Sequence, residues 1–217
     1  MCISRIDMSM NLFETISRQP IAKLRSEAKS CTRCPLYKNA TQTVFGEGPA
    51  NAPVMFVGEQ PGDQEDLQGS PFVGPAGRIF DRALVDAGID RKRVYVTNAV
   101  KHFKFEPRGK RRLHKRPTAD EIDACRWWLE HEIAAIAPQL IVALGATAAS
   151  ALAGRAVTIT KLRGQIVEFF GSSGLVTVHP SYILRIIERS DAEKEYDRFV
   201  ADLRKVAERV SDVRIAA

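Results

Sequence analysis

The segment APVMFVGEQPGDQED, residues 52–66, decides the fold class of this chain. Residues 52–58 form a short apolar run, which is typical of a strand buried on both faces. An acidic, turn-rich segment follows it directly. Three further apolar runs each precede a segment with helical spacing, at residues 93–100, 140–144 and 175–178.

Helical patterns alternate with these runs. Residues 75–87 have helical spacing, with Pro75 in the first turn. Residues 118–136 predict a long helix, in which Thr118 is the N-cap and Glu121 completes a capping box. The remaining elements are a helix at 15–29, an edge strand at 164–170 and two charged helical stretches that end near residue 210. This alternation predicts parallel βαβ units, hence an α/β fold: a three-layer α/β/α sandwich around a short parallel sheet.

The chain has 217 residues, enough for one domain with a sizeable core. We expect an N-terminal helix region at 1–30, a single α/β domain at 31–210 and a tail at 211–217. No apolar run reaches the roughly 18 residues that a membrane span needs. The N-terminus carries scattered charges instead of an apolar signal segment. The sequence therefore predicts a cytoplasmic protein of the bacterial cytosol, associated with the nucleoid.

The cysteines and the charge point to a metal and to a polyanion. The formal net charge of +6 favours a polyanionic partner such as DNA. In a reducing cytosol, cysteines are metal ligands or buried thiols more often than disulfides. Cys31 and Cys34 form a C-x-x-C pair, and Cys125 lies in the predicted long helix. Redox, zinc and iron–sulfur sites all use such sets. Cys2, near the N-terminus, is expected to take no part.

Polar residues stand where the predicted strands end. Glu59 follows the first strand, Asn98 lies near the end of the second and His179 follows the fourth. In parallel sheets, ligands bind beyond the carboxyl ends of the strands. We therefore expect these three side chains to border one ligand site.

Two turn-rich segments near this rim have competing interpretations. Residues 58–66 contain neither a phosphate-binding P-loop nor a dinucleotide fingerprint. They form either a solvated acidic turn or part of a catalytic site. The second alternative is considered because carboxylates without a chemical role at this rim would repel DNA. In residues 70–78, SPFVGPAGR, Phe72 lies between turn formers just ahead of a helix. It is either an ordinary core phenylalanine or a stacking platform for a flipped base.

The segment KHFKFEPRGKRRLHKRP, residues 101–117, has eight Lys or Arg and a single acid. Such a run is usually solvated and disordered. Here Phe103, Phe105 and Leu113 interleave with the charges, which favours a loop that packs down and grips phosphates. Neighbouring cations disfavour the imidazolium form of His114, so we expect a neutral, nucleophilic ring.

Taken together, these motifs resemble those of the family 4 uracil-DNA glycosylases. The resemblance spans roughly residues 31–185 and keeps the order of the family's motifs. It implies the α/β/α sandwich, removal of uracil from DNA and a [4Fe–4S] cluster on four cysteines. The matching pieces are Cys31-x-x-Cys34, GEQPGDQED at 58–66, PFVGPAG at 71–77, VTNAVK at 96–101, Cys125 and HPS at 179–181.

The chain departs from the family pattern at two places. His102 stands where the family has its third cysteine, and a longer stretch before Cys125 contains KRRLH at 110–114. Both departures are similar to the X-type branch, whose members carry a K-R-R-I-H loop and become covalently joined to DNA. Imidazole replaces thiolate on iron in Rieske centres. The resemblance therefore implies a cluster on Cys31, Cys34, His102 and Cys125.

The resemblance and the rim residues together imply how uracil is excised. A stacked uracil must be flipped or presented on a single strand. Phe72 would stack on its face, and Asn98 would accept from N3–H and donate to O4, a pairing that cytosine inverts. His179 would donate to O2. Backbone N–H groups of the loop that contains Gln60 and Asp63 would help to stabilise the departing anion.

The implied last step is covalent. Glu59 would stabilise positive charge on the sugar or orient His114, and His114 would then attack C1′. The flanking phosphates would be held by Lys110, Arg111, Arg112 and Ser181. The expected partner is uracil-containing DNA, preferably single-stranded, bound by a monomer.

Two other functions fit the same sequence. One is an ordinary turnover glycosylase that releases free abasic DNA, with His114 as a phosphate contact. The other is a DNA-binding module that keeps the iron–sulfur cluster without the chemistry. The presence of Glu59, Asn98 and His179 favours an enzyme over the second of these.

Overall fold

A five-stranded sheet forms the centre of the computed structural model, which describes residues 16–215. The strands are β1 (Val54–Gly58), β2 (Val94–Asn98), β5 (Leu140–Leu144), β6 (Ile166–Phe169) and β7 (Ser172–Thr177), in the spatial order β2-β1-β5-β7-β6. Neighbours from β2 to β7 are parallel, and β6 pairs antiparallel with β7 at one edge. A separate antiparallel hairpin consists of β3 (Phe105–Arg108) and β4 (Arg111–His114).

Helices cover both faces of the sheet, which confirms the predicted three-layer α/β/α sandwich. They are α1 (Ile21–Ala28), α2 (Asp63–Gln68), α3 (Pro75–Asp86), α4 (Ala119–Ile136), α5 (Ala146–Ala153), α6 (Ile159–Leu162), α7 (Pro180–Ile183) and α8 (Arg189–Arg209). Short 3-10 turns occupy Pro35–Lys38, Arg91–Arg93 and Ser211–Val213. Within residues 16–215, no helix has the length and apolar character needed to cross a membrane.

Two apolar cores explain why the strands are continuous apolar runs. Successive side chains of a strand point to opposite faces of the sheet. Phe56 packs with Phe80 and Phe199 on the face covered by α3 and α8, whereas Val57 packs with Leu129 on the face covered by α4 and α5. Because both faces are covered by helices, strand residues on either side are apolar.

The acidic segment after β1 contains the helix α2, where the sequence predicted only a turn. The helix starts because the Glu65 carboxylate accepts a hydrogen bond from the Gly62 N–H at 3.0 Å. Acids in the first turn also suit the positive end of the helix. Glu65 and Asp66 are buried, so the interpretation of this segment as a solvated acidic turn is wrong.

The basic run is an ordered β-hairpin rather than a loop. Phe105 pairs with His114 and Arg108 pairs with Arg111 across a tight turn. Gly109 has a φ of 59°, a left-handed conformation that glycine adopts at little cost. The sequence marked the turn but not the strands, because Glu106 and Pro107 of β3 are poor strand formers.

The N-terminal helix is shorter than the predicted span of 15–29. It begins at Ile21, directly after Pro20, and a proline disfavours helical backbone in the residue before it. α1 then packs against α4 through Leu24 and Trp128. The expectations for residues 1–15, including Cys2, and for the end of the tail at 216–217 lie outside the described residues.

Candidate active site

A cavity of about 530 Å³ lies beyond the carboxyl ends of β1 and β2. An adjoining cavity of about 800 Å³ shares Gln60, His114 and His179 with it, and adds Glu59. The predicted rim residues therefore do border one site. The predicted residues that line the first cavity are Gln60, Asp63, Phe72, Asn98, His114, His179 and Ser181.

Phe72 is at once a core residue and a wall of the cavity. Only 7% of it is exposed, and its ring centroid lies 5.2 Å from that of Phe80 and 5.8 Å from that of His179. Its φ of 58° is unusual for a bulky side chain and costs on the order of 1–3 kcal/mol. Such backbone strain is typical of functional sites. The two sequence-based interpretations of Phe72 are therefore compatible.

Asn98 presents an unsatisfied amide at the end of β2. Its buried Oδ1 has no hydrogen-bond partner among the described residues. Gly58, its partner in register on β1, permits this arrangement, since a Cβ there would lie 2.3 Å from Asn98 Oδ1 and 2.7 Å from Phe72 Cζ. A buried polar atom without a partner needs an explanation, and a ligand N–H provides one.

His179 is set up as a neutral hydrogen-bond donor. The Ser181 main-chain N–H donates to Nδ1 at 3.2 Å, and the Ser181 hydroxyl lies 2.8 Å from the same nitrogen. An Nδ1 that accepts places the proton of the neutral ring on Nε2. Burial lowers the pKa of His179 to about 4, and the positive charges of Arg185 and of protonated His114 act in the same direction. At neutral pH the ring is therefore uncharged.

The hairpin places His114 beside Glu59. His114 Nε2 lies 3.6 Å from Glu59 Oε1 and 2.9 Å from Gln60 Nε2, and half of the side chain is exposed. Partial burial lowers the pKa of His114, Glu59 opposes this shift and Arg185 adds to it. The expected tendency toward a neutral ring is confirmed. The expected cause is wrong. Burial makes the largest contribution to the lowered pKa, and the cation that adds to it is Arg185, which lies outside the basic run.

Glu59 is held by a residue that the sequence analysis missed. The Thr147 hydroxyl donates to Glu59 Oε2, and Arg116 Nε donates to the Thr147 oxygen at 3.1 Å. Thr147 follows β5 on the same rim. Its position just beyond the carboxyl end of β5 is the signal in the sequence that indicates a rim residue.

Gln60 joins the two ends of the hairpin to β1. Its Nε2 lies 3.2 Å from the Lys104 carbonyl and 3.0 Å from the Lys115 carbonyl, and its Oε1 accepts from the Lys104 N–H at 3.1 Å. The side chain of Gln60 therefore faces the hairpin, and only its main chain is left for a base.

Arg112 anchors the hairpin to the acidic segment. Its guanidinium donates to Asp63 and Asp66, at 2.6 Å in each case, and lies 5.4 Å and 5.1 Å from the stacked rings of Phe103 and Phe105. These contacts occupy the group that was expected to hold a phosphate. Exposed cations at the hairpin turn are Arg108, Lys110 and Arg111. The side chain of Lys104 is likewise occupied, by Glu121 at 2.7 Å.

The expected metal ligands lie in a separate buried region. Cys31, Cys34 and Cys125 are free thiols in one buried cluster. Trp128 Nε1–H donates to Cys31 Sγ at 3.1 Å, and burial raises the pKa of the Cys125 thiol to about 12. Among the described residues, His102 Nδ1 is buried without a hydrogen-bond partner, while its Nε2 lies 2.9 Å from the Thr43 hydroxyl.

These residues fit a soft metal group in donor type and in burial. Thiolates and imidazole are the ligands of zinc and iron–sulfur centres, and Nδ1 of His102 is a buried atom that has no hydrogen-bond partner within residues 16–215. Across the described ranges, no three His, Cys, Asp or Glu side chains converge as a group that holds a metal ion. The iron–sulfur cluster therefore stays a prediction.

Comparison with known proteins agrees with this geometry. Residues 45–204 match the model of the uracil DNA glycosylase superfamily. The chain is 43% identical over 172 residues to the Type-4 uracil-DNA glycosylase of Thermotoga maritima, which covers 78% of this chain and 86% of the relative. It is 35% identical over 190 residues to that of Archaeoglobus fulgidus, covering 84% and 89%. A Type-5 uracil-DNA glycosylase of Pyrobaculum aerophilum is 29% identical over 185 residues, covering 70% and 78%.

Proposed function

The chain belongs to the uracil DNA glycosylase superfamily, and from that premise we propose that it excises uracil from DNA and is then joined to C1′ of the abasic sugar through His114. The observation that carries this proposal is the position of the His114 imidazole. It lies 3.6 Å from the Glu59 carboxylate, at the junction of the two cavities. Uracil-DNA glycosylase activity follows from membership of the family. The covalent step through His114 is proposed in addition to that activity.

The first cavity suits a flipped uracil. Phe72 offers a ring face, Asn98 Oδ1 is free to accept from N3–H, and Asn98 Nδ2 would donate to O4. Cytosine presents an acceptor at N3 and a donor at N4, so both contacts would be mismatched. Such bidentate reading discriminates by about 1–3 kcal/mol. A single-stranded uracil reaches the cavity without the cost of unstacking, so we propose that single-stranded DNA is preferred.

Bond breaking needs opposite charges on the two sides of the glycosidic bond. The C1′–N1 bond breaks with both electrons going to uracil, whose O2 would accept a hydrogen bond from the Nε2–H of His179. The sugar becomes an oxocarbenium-like cation, which the carboxylate of Glu59 would stabilise. Donors and charges fixed in advance in a partly dry site are the largest contribution to many enzymatic rates.

Capture of the sugar is assigned to His114. The neutral ring would use its Nε2 lone pair to form a bond to C1′, and the resulting imidazolium would lose its Nδ1 proton to water. In a turnover glycosylase, Glu59 would be free to orient an attacking water. Here the imidazole is the neighbour of that carboxylate, and Gln60 and Arg112 hold the hairpin that carries it.

Flanking phosphates would be held by the exposed cations Lys110 and Arg111 at the hairpin turn. We propose that Ser181, half-buried beside His179, contributes as well. Arg112 is assigned to anchoring, because its guanidinium is engaged by two carboxylates. All of these groups come from one chain, which is consistent with action as a monomer.

The direct test of the proposed function is a denaturing gel. The protein is mixed with a uracil-containing oligonucleotide, boiled in SDS and separated beside a uracil-free control. We expect a shifted band only with the uracil-containing oligonucleotide. The amount of released uracil should equal the amount of protein–DNA adduct. Uracil release without the shifted band would favour the turnover glycosylase, and DNA binding without release would favour the non-catalytic module.

We also propose a [4Fe–4S] cluster on Cys31, Cys34, His102 and Cys125. It would act structurally, by tying the turn after α1 to α4 and to the segment after β2. The support is the set of buried thiols and the orphaned nitrogen of His102.

The cluster predicts a brown protein that contains iron and sulfide. Cys125→Ser is expected to lose the colour and to lower the unfolding midpoint by at least about 5 °C, because a bound metal group contributes folding free energy. Cys2→Ser is the matched control and should keep both properties. Metal analysis and thermal melts provide the measurements, and a colourless protein with stoichiometric zinc would contradict the iron–sulfur assignment.

A further inference from the structure

A fully buried polar network lies behind the uracil cavity, and the chemistry described above does not use it. Its centre is an ion pair between Lys101 and Glu132, and both side chains are 0% exposed. Charged groups are rarely buried to this extent unless they are paired. Solvent contact does not explain why these two charged side chains are kept at this position, so a structural role is expected.

Lys101 uses its three ammonium donors on three different acceptors. One is Glu132, the second is the Thr97 hydroxyl at 2.7 Å, and the third is the main-chain carbonyl of Asn98 at 2.6 Å. The side chain thus folds back along its own chain to the last residue of β2.

Glu132 is equally well satisfied. Its Oε1 accepts from the Tyr95 hydroxyl at 2.9 Å and from the Gly46 N–H at 3.0 Å, and Thr97 donates to both oxygens at 3.0 to 3.1 Å. The carboxylate on α4 is therefore held from several sides. It gives Lys101 a fixed partner.

The network holds the backbone of the residue that faces the base. β2 is the outermost strand of the sheet on its side. Asn98 has β1 on one flank, where the next N–H, of Ala99, donates to Gly58 at 2.9 Å. On the other flank its carbonyl accepts from Lys101. The Asn98 side-chain oxygen has no partner among the described residues, so its position depends on the backbone.

We propose that Lys101 is a positioning residue for Asn98 and so sets how well the enzyme separates uracil from cytosine. The inference rests on the proposed reading of uracil by Asn98. A buried ion pair is weak evidence for a role in stability, because replacing it by apolar residues often leaves the free energy of unfolding unchanged. An apolar replacement cannot, however, donate a hydrogen bond that fixes the main-chain carbonyl of Asn98.

The test uses the double variant Lys101→Met/Glu132→Gln. Methionine keeps the unbranched shape of lysine, and glutamine removes the unpaired buried charge while its carbonyl still accepts from Tyr95 and Gly46. Single-turnover uracil release is expected to fall at least about tenfold, since misplacement by about 1 Å can cost on the order of 100-fold. Affinity for uracil-free DNA should stay unchanged, and the preference for uracil over cytosine should narrow.

A double-mutant cycle with Asn98→Ala separates positioning from simple loss of stability. If Lys101 acts through Asn98, the network variant should cause no further loss of rate in the Asn98→Ala background. Rates are measured well below the unfolding midpoint of each variant, which thermal melts establish. Independent, multiplicative losses would overturn the proposal, as would a normal rate in the network variant. If Asn98→Ala itself excised uracil normally, the proposed function would fail instead.

Lys104→Met/Glu121→Gln is the matched control. It makes the same pair of substitutions at a second, largely buried ion pair, since Lys104 Nζ lies 2.7 Å from Glu121 with 16% and 11% exposure. The Lys104 ammonium has no contact with β2 among the described hydrogen bonds and ion pairs. The rate and the base preference should stay at the wild-type level. A loss equal to that of the network variant would show that any broken ion pair suffices, and would overturn the proposal.

Discussion

His114→Ser and His114→Ala are expected to form no boiling-resistant adduct while they still release uracil. Bond breaking is assigned to Asn98, His179 and Glu59, none of which lies on the hairpin. Removing the imidazole clears the space beside Glu59 Oε1, now 3.6 Å from His114 Nε2, so that water reaches C1′. The adduct should fall from a major product to none detectable. The variant should leave an alkali-labile abasic site, as a turnover enzyme does.

The gel and a uracil-release assay on the same samples measure both outcomes. Leu113→Ala, one residue earlier on the same strand and 40% exposed, is the control variant and should keep the adduct. If the His114 variants still formed it, a lysine imine at C1′ would be the next hypothesis, and borohydride would trap it. Lys101 is buried in its ion pair and Lys115 pairs with Glu106, so Lys110 would be the first lysine to replace.

The two histidines predict that adduct formation and uracil release separate at acid pH. Protonated His114 has no lone pair for C1′, and its pKa is lowered from the ordinary value of about 6.5. Adduct yield should therefore hold at pH 6.5 and be lost as pH falls through that lowered pKa. The pKa of His179 is about 4, so its neutral, donating form persists further into acid. Parallel titrations of adduct and released uracil test this, and identical profiles would contradict separate roles.

Asn98→Ala is expected to slow uracil excision about 10- to 100-fold, because a bidentate base contact contributes about 1–3 kcal/mol. Affinity for uracil-free DNA should be unchanged, since phosphate contacts supply most affinity and base contacts supply specificity. Single-turnover release and binding at one fixed salt concentration provide the measurements. Asn51→Ala removes an exposed amide just before β1, at the opposite end of the sheet, and should change neither quantity. Normal excision by Asn98→Ala would show that another group reads the base.

Local sequence patterns predicted the strands and helices and the polar residues at the carboxyl ends of the strands. The apolar runs became β1, β2, β5 and β7, within a few residues at their ends, because burial on both faces demands continuous apolar sequence. The capping box at Thr118 was also visible in sequence, and Thr118 does accept from the Glu121 N–H. The strand-end rule then placed Glu59, Asn98 and His179 at one site.

Patterns failed where long-range contacts override local propensity. The basic run has the composition of a solvated loop, yet Arg112 pairs with Asp63 and Asp66, and Gln60 bonds both ends of the hairpin. These partners are 44 to 55 residues apart in the chain, so no short window contains them. The same contacts engage the guanidinium of Arg112, which was expected to hold a phosphate.

The sequence by itself determined the α/β/α sandwich and the chemical character of the rim, because period, capping and strand-end position are local properties of the chain. Only the tertiary structure decided that His114 stands beside Glu59 and that its pKa is lowered mainly by burial. It also decided that Lys101 reaches the carbonyl of Asn98 and pairs with Glu132 on α4. Distances, burial and pKa shifts depend on how distant segments pack, and packing is a property of the whole fold.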